Sequence, residues 1–219
     1  MSLRKLHRWN AGLLGAFLLF HLGNHLVILG GIDAHLAVME GLRGIYRILP
    51  LELAIFALFF IQILLGLIMV WRGGKPQSGW AWAQVLSGTY LAFFLLQHLG
   101  AILVTRAMYP ELSTNSYWAA SVVSRAPAVF YFAPYYFLAW LALFTHIACA
   151  LRFRAFDRPA RPWHFALPGL GGLLGLAVVA GLMASFADLP PAYVDYVDGL
   201  FFGGGSGRMS SGGSPHVLR

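Results

Sequence analysis

Two histidines in this sequence lie in nearly identical apolar surroundings. Residues 17–27 read FLLFHLGNHLV and residues 94–104 read FLLQHLGAILV, so eight of the eleven positions are the same. His21 and His98 occupy the same place in the two copies, 77 residues apart. An imidazole inside an apolar segment has no water to hydrogen-bond, and it therefore indicates a function. Two neutral imidazoles from different helices are suited to bind one iron as the axial ligands of a haem b.

The composition indicates what must position these histidines. The 219 residues are 59% hydrophobic and 11% charged, with a mean hydropathy of +0.70. A soluble domain has about 25% charged residues, so we expect a polytopic membrane protein in contact with lipid. The net charge of +7 does not predict a nucleic-acid partner, because Lys and Arg lie in short joints between apolar runs. The single cysteine, Cys149, lies in an apolar run and is predicted to be a buried thiol.

Five apolar runs are long enough to cross a membrane, because about 20 helical residues span roughly 30 Å. The apolar residues of segment 32–50 recur at helical spacing and predict a short interfacial helix between the first two spans. The predicted fold is therefore an all-α membrane protein with a five-helix domain over residues 1–187 and a flexible Gly- and Ser-rich tail over 188–219. The spans are predicted at about residues 9–31, 51–71, 80–107, 127–153 and 165–187.

The basic residues favour a cytoplasmic N-terminus and an outside C-terminus. In that orientation nine Lys and Arg residues lie inside and six lie outside. The compact basic segment RFRAFDRPARP (152–162) then lies at the inner end of the fourth span.

The depth of each histidine in the membrane predicts which of them can meet. His21 lies about 12 residues into its span and His98 about 16–18 into a parallel one, which places both roughly 18–27 Å from the cytoplasmic face. His146 lies about 19 residues into a span that starts outside, and so belongs to the inner half. We therefore expect His21 and His98 to face each other. The glycines near them are expected to leave room for a flat macrocycle between the helices: Gly12, Gly15, Gly23, Gly88 and Gly100. The alternative is a pair of histidines bonded to each other or to backbone carbonyls.

The positions of the other histidines in the sequence predict different environments for them. His25 lies one turn beyond His21 on nearly the same face, and it is the reserve ligand because it aligns with Ile102 in the repeat. The remaining four lie at span ends, in the interfacial helix or in the tail, and are predicted to be solvated surface residues: His7, His35, His164 and His216.

The pattern resembles the single-chain, five-span cytochrome b anchor of succinate dehydrogenase and fumarate reductase complexes, up to about residue 187. The motifs are GAFLLFHLGNHLVILGG around His21, SGTYLAFFLLQHLG with His98 ten residues after Gly88, and LALFTHIACAL around His146. The resemblance implies that histidines of spans one and three hold the haem farther from the cytoplasm. Histidines of spans two and four hold the nearer haem.

The second span departs from this pattern. It contains no histidine, and Gln62 stands four residues before Gly66, where the family's ligand is expected. Glutamine is a poor haem ligand, so the resemblance predicts one haem b. The haem nearer the cytoplasm is then absent, bound through His146 alone, or bound by His146 together with an unusual partner.

The resemblance also implies a role as the anchor of a complex in the bacterial inner membrane, passing electrons between membrane quinone and cytoplasmic flavoprotein and iron–sulfur subunits. Those subunits would dock on residues 1–8, 72–80 and 152–164. The chain itself has neither a GxGxxG motif nor the four cysteines of a usual cluster, so we expect it to be non-catalytic alone.

A quinone pocket needs an apolar slot and one or two polar groups. Glu52, near the outer end of the second span, is either a proton acceptor or a solvated interfacial carboxylate. The candidates on the inner side are His7, Arg8, Trp9, Gln84 and Ser87.

Two other functions remain open. The first is a membrane cytochrome b of the hydrogenase or formate dehydrogenase type, although those usually have four spans. The second is a haem-free membrane anchor or small transporter, in which the histidines serve packing or proton movement.

Overall fold

The computed structural model describes residues 2–154 and 159–202, and within these ranges the regular structure is entirely helical. The α-helices are α1 (Leu3–Leu26), α2 (Ile32–Tyr46), α3 (Leu49–Arg72), α4 (Gly79–Met108), α5 (Ser116–Ser124), α6 (Ala128–Arg154), α7 (Pro162–Ala184) and α8 (Pro191–Phe202). Short 3₁₀ turns extend α1 over Val27–Gly30 and α7 over Ser185–Asp188.

Five of these helices are long and apolar enough to cross a membrane, namely α1, α3, α4, α6 and α7. With their 3₁₀ extensions they contain 24–30 residues, and the mean hydropathy of their most apolar windows is 1.5–2.8. The chain is therefore a multi-pass membrane protein, and the predicted all-α fold is confirmed. α1 begins earlier than predicted, at Leu3, because the Ser2 side chain caps a basic first turn that hydropathy alone does not mark as helical.

Neighbouring spans run antiparallel. Asn10 of α1 contacts Leu58 and Gln62 of α3, and Tyr90 of α4 donates a hydrogen bond to the Tyr135 carbonyl of α6. The bundle therefore has one end where α1 begins, called here the N-terminal end, and an opposite end called the capped end.

Three short helices cover the capped end. α2 lies in the segment predicted to be an interfacial helix, whereas α5 and α8 were not predicted. Asn115 caps α5 by accepting from two backbone N–H groups, and Arg125 makes a two-pronged ion pair with Asp198 of α8 at 2.9 and 2.6 Å. The Tyr193 hydroxyl of α8 donates to the Ser113 carbonyl at 3.1 Å. We call α2, α5 and α8 the cap.

The C-terminal segment differs from the expectation. A flexible tail was predicted from residue 188, but residues 191–202 form α8, in which Tyr193 and Val197 are buried. The Gly- and Ser-rich stretch begins after this helix. Residues 203–219, which include His216, Arg208 and Arg219, lie outside the described residues, as does Arg158.

Candidate functional site

His21 of α1 and His98 of α4 face each other, as the repeat predicts. Their ring centroids are 6.3 Å apart and the ring planes are inclined by 69°. Both side chains are half-buried and lie nearer the capped end than the N-terminal end. His146 of α6 is placed separately, toward the N-terminal end, as its depth predicts.

Each of these two rings is supported in the same way. Phe17 stacks on His21 with centroids 5.2 Å apart, and Phe94 stacks on His98 at 5.3 Å. The interplanar angles are 19° and 12°. Residues four apart on a helix are neighbours, so the repeated F-L-L-x-H segment carries both the histidine and the ring that orients it.

The spacing of the pair fits two axial ligands. Two imidazoles that bind one metal ion from opposite sides, each about 2 Å from it, have ring centroids roughly 6 Å apart. Among the described residues no group of three or more His, Cys, Asp or Glu is arranged to hold a bare metal ion. A haem needs only two ligands from the protein, because its macrocycle supplies the others. The two imidazoles therefore have the separation that a pair of haem ligands from α1 and α4 would need.

The glycines that follow each histidine do not line the space between the rings. A residue two positions on along an α-helix points about 160° away. Gly23 is exposed accordingly, and a Cβ at Gly23 or Gly100 would meet no atom within 4 Å. The expectation that the glycines make room for a macrocycle therefore stays a prediction.

His25 and His35 lie next to the pair, on the side that faces the cap. His25 Nε2 lies 3.3 Å from His21 Nε2, and the His25 ring centroid is 5.5 Å from that of His35. His35 was predicted to be a solvated surface residue, but its exposed fraction is 0%. Neither His35 ring nitrogen has a hydrogen-bond partner among the described residues. The side chain of His35 points into the protein. The face of α2 that bears it therefore packs against protein and does not contact water.

Burial of His35 should make the stability of the protein pH-dependent. Desolvation, and then the charge of Arg43, lower the pKa of His35 to about 4, so the unfolded chain binds the proton more readily. Its contribution to stability is therefore present above pH 6.5 and is lost as pH falls toward 4. From pH 7 to pH 5 we expect the free energy of unfolding to fall by about 1–2 kcal/mol. Thermal unfolding in detergent checks this, with His35→Leu as the variant whose profile should be flatter. An equally steep profile in that variant would assign the effect to other groups.

A second polar cluster lies between α1, α3, α4 and α6, toward the N-terminal end. Gln62, which stands where the resemblance predicts a second-span ligand, has its Nε2 3.1 Å from His7 Nε2. Asn10, which the sequence analysis did not single out, donates to Gln62 Oε1 at 2.7 Å. Opposite, Ser87 Oγ lies 3.3 Å from His146 Nδ1.

The other candidates lie apart from this cluster. Trp9 is 64% exposed, and Arg8 donates to the Arg4 carbonyl on the surface of α1. Glu52 is neither alone nor fully solvated, because it pairs with Arg106 at 2.8 Å and ties α3 to α4 at the capped end. His164 was predicted to be solvated, but it is 2% exposed and stacked on Trp163.

The fold defines this chain as a multi-pass helical membrane protein with paired histidines from different spans. Searches with this sequence and structure match no protein-family model, no curated protein and no solved structure.

Proposed function

We propose that this chain is the membrane anchor and cytochrome b subunit of a succinate:quinone oxidoreductase or fumarate reductase, carrying electrons between a partner iron–sulfur subunit and membrane quinone. The observation that supports this most directly is the pair His21 and His98, whose ring centroids are 6.3 Å apart on two different spans. A haem b bound there supplies a one-electron carrier inside the membrane.

The chain's own residues would bind and orient that group. His21 and His98 would hold the haem iron through their ring nitrogens, and Phe17 and Phe94 stack on the two rings and orient them. An apolar cluster around Leu14 packs against both spans next to the histidines and excludes water from them.

The proposed location is the bacterial inner membrane, with the N-terminus in the cytoplasm and the C-terminus outside. The basic residues of the N-terminal end support this orientation. The flavoprotein and iron–sulfur subunits would dock at that end, on residues 1–8, 72–80 and the described parts of 152–164.

A haem-free anchor or transporter is the second candidate function. It is favoured by the 3.3 Å contact between His21 Nε2 and His25 Nε2, since a haem-free histidine pair would make such a bond. In a cytochrome, His21 would hold the haem iron with the nitrogen that faces His25 here.

An absorbance spectrum of the purified full-length protein tests the proposal. We expect a Soret band and, after dithionite reduction, the α-band of a haem b, with one haem per chain by pyridine haemochrome. Co-purification with a flavoprotein and an iron–sulfur protein would support the succinate dehydrogenase type over the hydrogenase or formate dehydrogenase type. A wild-type protein without a Soret band would eliminate both cytochrome types and leave the haem-free candidate.

A further inference from the structure

A cavity of about 310 Å³ lies at the capped end, between the end of α2, the end of α4 and the loop that follows α4. Its lining includes the guanidinium groups of Arg47 and Arg106 and the hydroxyls of Ser113 and Thr114. Glu111 also lines the cavity, with an exposed side chain. Groups that can donate hydrogen bonds therefore make up most of the polar lining.

The two hydroxyls are held with their hydrogens free. Arg43 Nη1 donates to Ser113 Oγ at 3.2 Å, and Arg47 Nη2 donates to Thr114 Oγ1 at 3.3 Å. A hydroxyl oxygen that accepts from an arginine keeps its own O–H to donate. Neither O–H has an acceptor among the described residues. Both hydroxyls can therefore donate to an acceptor in the cavity.

Arg47 carries a positive charge that no described carboxylate neutralises. Arg43 pairs with Glu40 at 2.7 Å. Arg106 pairs with Glu52 at 2.8 Å. Arg47 forms no ion pair among the described residues, and its buried Nε has no hydrogen-bond partner among them. Burial, and then the charges of Arg43 and Arg106, lower the pKa of Arg47. A half-buried cation without a counter-ion is costly, so an anion is expected to bind beside it.

Arg106 can contact the same anion. Its Nη1 donates to Glu52, but a guanidinium has five N–H donors, and the Arg106 side chain is 30% exposed. The donors that face the cavity thus come from three segments, namely the end of α2, α4 and residues 113–114. A carboxylate presents two oxygens in one plane, whereas donors in this arrangement suit a tetrahedral group. Arginine also pairs well with phosphate oxygens, because its planar fork can bind two of them.

The position of the cavity indicates the source of such a phosphate. Arg47 lies two residues before α3 and Arg106 lies in the last turn of α4, so both are at an end of the apolar spans, where lipid phosphates lie. Exposed apolar side chains follow on both spans. Leu51 in the first turn of α3 is 41% exposed, and Leu103, one turn before Arg106 on the same face of α4, is 48% exposed.

We propose that this cavity binds the phosphate group of an anionic phospholipid through Arg47, Arg106 and the hydroxyls of residues 113 and 114. The acyl chains then lie against exposed side chains such as Leu51 and Leu103, which a free phosphate ion would not use. This inference goes beyond the proposed function and does not depend on whether the chain binds haem.

The test measures the affinity of the purified full-length protein for phosphatidylglycerol, by native mass spectrometry from detergent. We expect Arg47→Gln to weaken binding of the first lipid about tenfold or more, because a charge-assisted hydrogen bond is lost. Thr114→Val removes one hydroxyl but no charge, and it should weaken binding by a smaller factor. Arg72→Gln is the matched control, because it removes an exposed arginine at the other end of the bundle, and it should bind as the wild type does.

Competition experiments at constant ionic strength distinguish the sources of the phosphate. Phosphatidylglycerol that is not displaced by inorganic phosphate, and only weakly by phosphatidylcholine, supports the site. Displacement by inorganic phosphate at similar concentration would make the ligand a free anion and overturn the assignment to a lipid. Equal displacement by phosphatidylcholine would overturn the selectivity for an anionic lipid.

The variants decide whether the cavity is the binding site. Unchanged affinity in both Arg47→Gln and Thr114→Val, or an equal loss in Arg72→Gln, would overturn the proposal. Circular dichroism checks that each variant is folded. If Arg47→Gln does not fold, the comparison of Thr114→Val with Arg72→Gln decides the outcome.

Discussion

His98→Ala, and equally His21→Ala, is expected to lower the haem content of the purified protein by more than about tenfold. Loss of a partner that merely orients a metal ligand typically costs 10–100-fold in metal affinity, and loss of an axial ligand itself should cost at least as much. The two imidazoles lie 6.3 Å apart on helices that are each held by other neighbours, so neither variant should collapse the bundle. The measurement is the haem-to-protein ratio from the pyridine haemochrome, with circular dichroism to confirm that the helices are retained.

His25→Ala and His146→Ala are the matched controls for this experiment. Both remove a half-buried histidine from a span, and both should keep the wild-type haem content. Loss of haem in His25→Ala but not in His21→Ala would make the reserve ligand the true one. Full haem content in both His21→Ala and His98→Ala would reject the pair as the binding site.

The second large effect is expected at the contact between α6 and α7, where Gly171 and Gly175 let the helices approach closely. A Cβ on Gly171 would lie 2.6 Å from Phe144 Cβ and 2.9 Å from the Trp140 carbonyl oxygen, so Gly171→Ala must push the helices apart. Overpacking of this kind costs about 1–3 kcal/mol. For a protein of this size that corresponds to a fall in Tm of roughly 2–12 °C.

Gly169→Ala, two residues earlier on the same helix, is the control, because a Cβ there meets no atom within 4 Å. The higher helix propensity of alanine, up to about 1 kcal/mol, should leave this variant as stable as the wild type or more so. Thermal unfolding of both variants in the same detergent checks the pair. Equal losses of stability would mean that α7 does not pack on α6 through Gly171.

The five spans could be predicted from the sequence because an unbroken apolar run of membrane length has few alternatives to a helix. α5 and α8 could not be predicted in the same way. They contain 9 and 12 residues, and their positions depend on distant partners such as Arg125 with Asp198. No local pattern encodes that pairing.

The candidate site, like the fold, could be predicted from the sequence only in part. The repeat predicted which two histidines meet, because depth in the membrane follows directly from residue count. It did not predict that His35 is buried, since an amphipathic helix pattern does not say whether the face bearing a polar residue meets water or protein. Asn10 was overlooked although an asparagine in an apolar span is itself a signal. Its role became visible only through its contacts with Leu58 and Gln62.

The order in which the chain is synthesised has a consequence for the cap. α2 and α5 leave the ribosome before the last span, whereas α8 follows it, so the contact between Arg125 and Asp198 forms only after all five spans are present. During biogenesis the cap therefore stays without α8 until the last span has been synthesised, and the ion pair that ties α8 to the end of α5 is the last part of the cap to form.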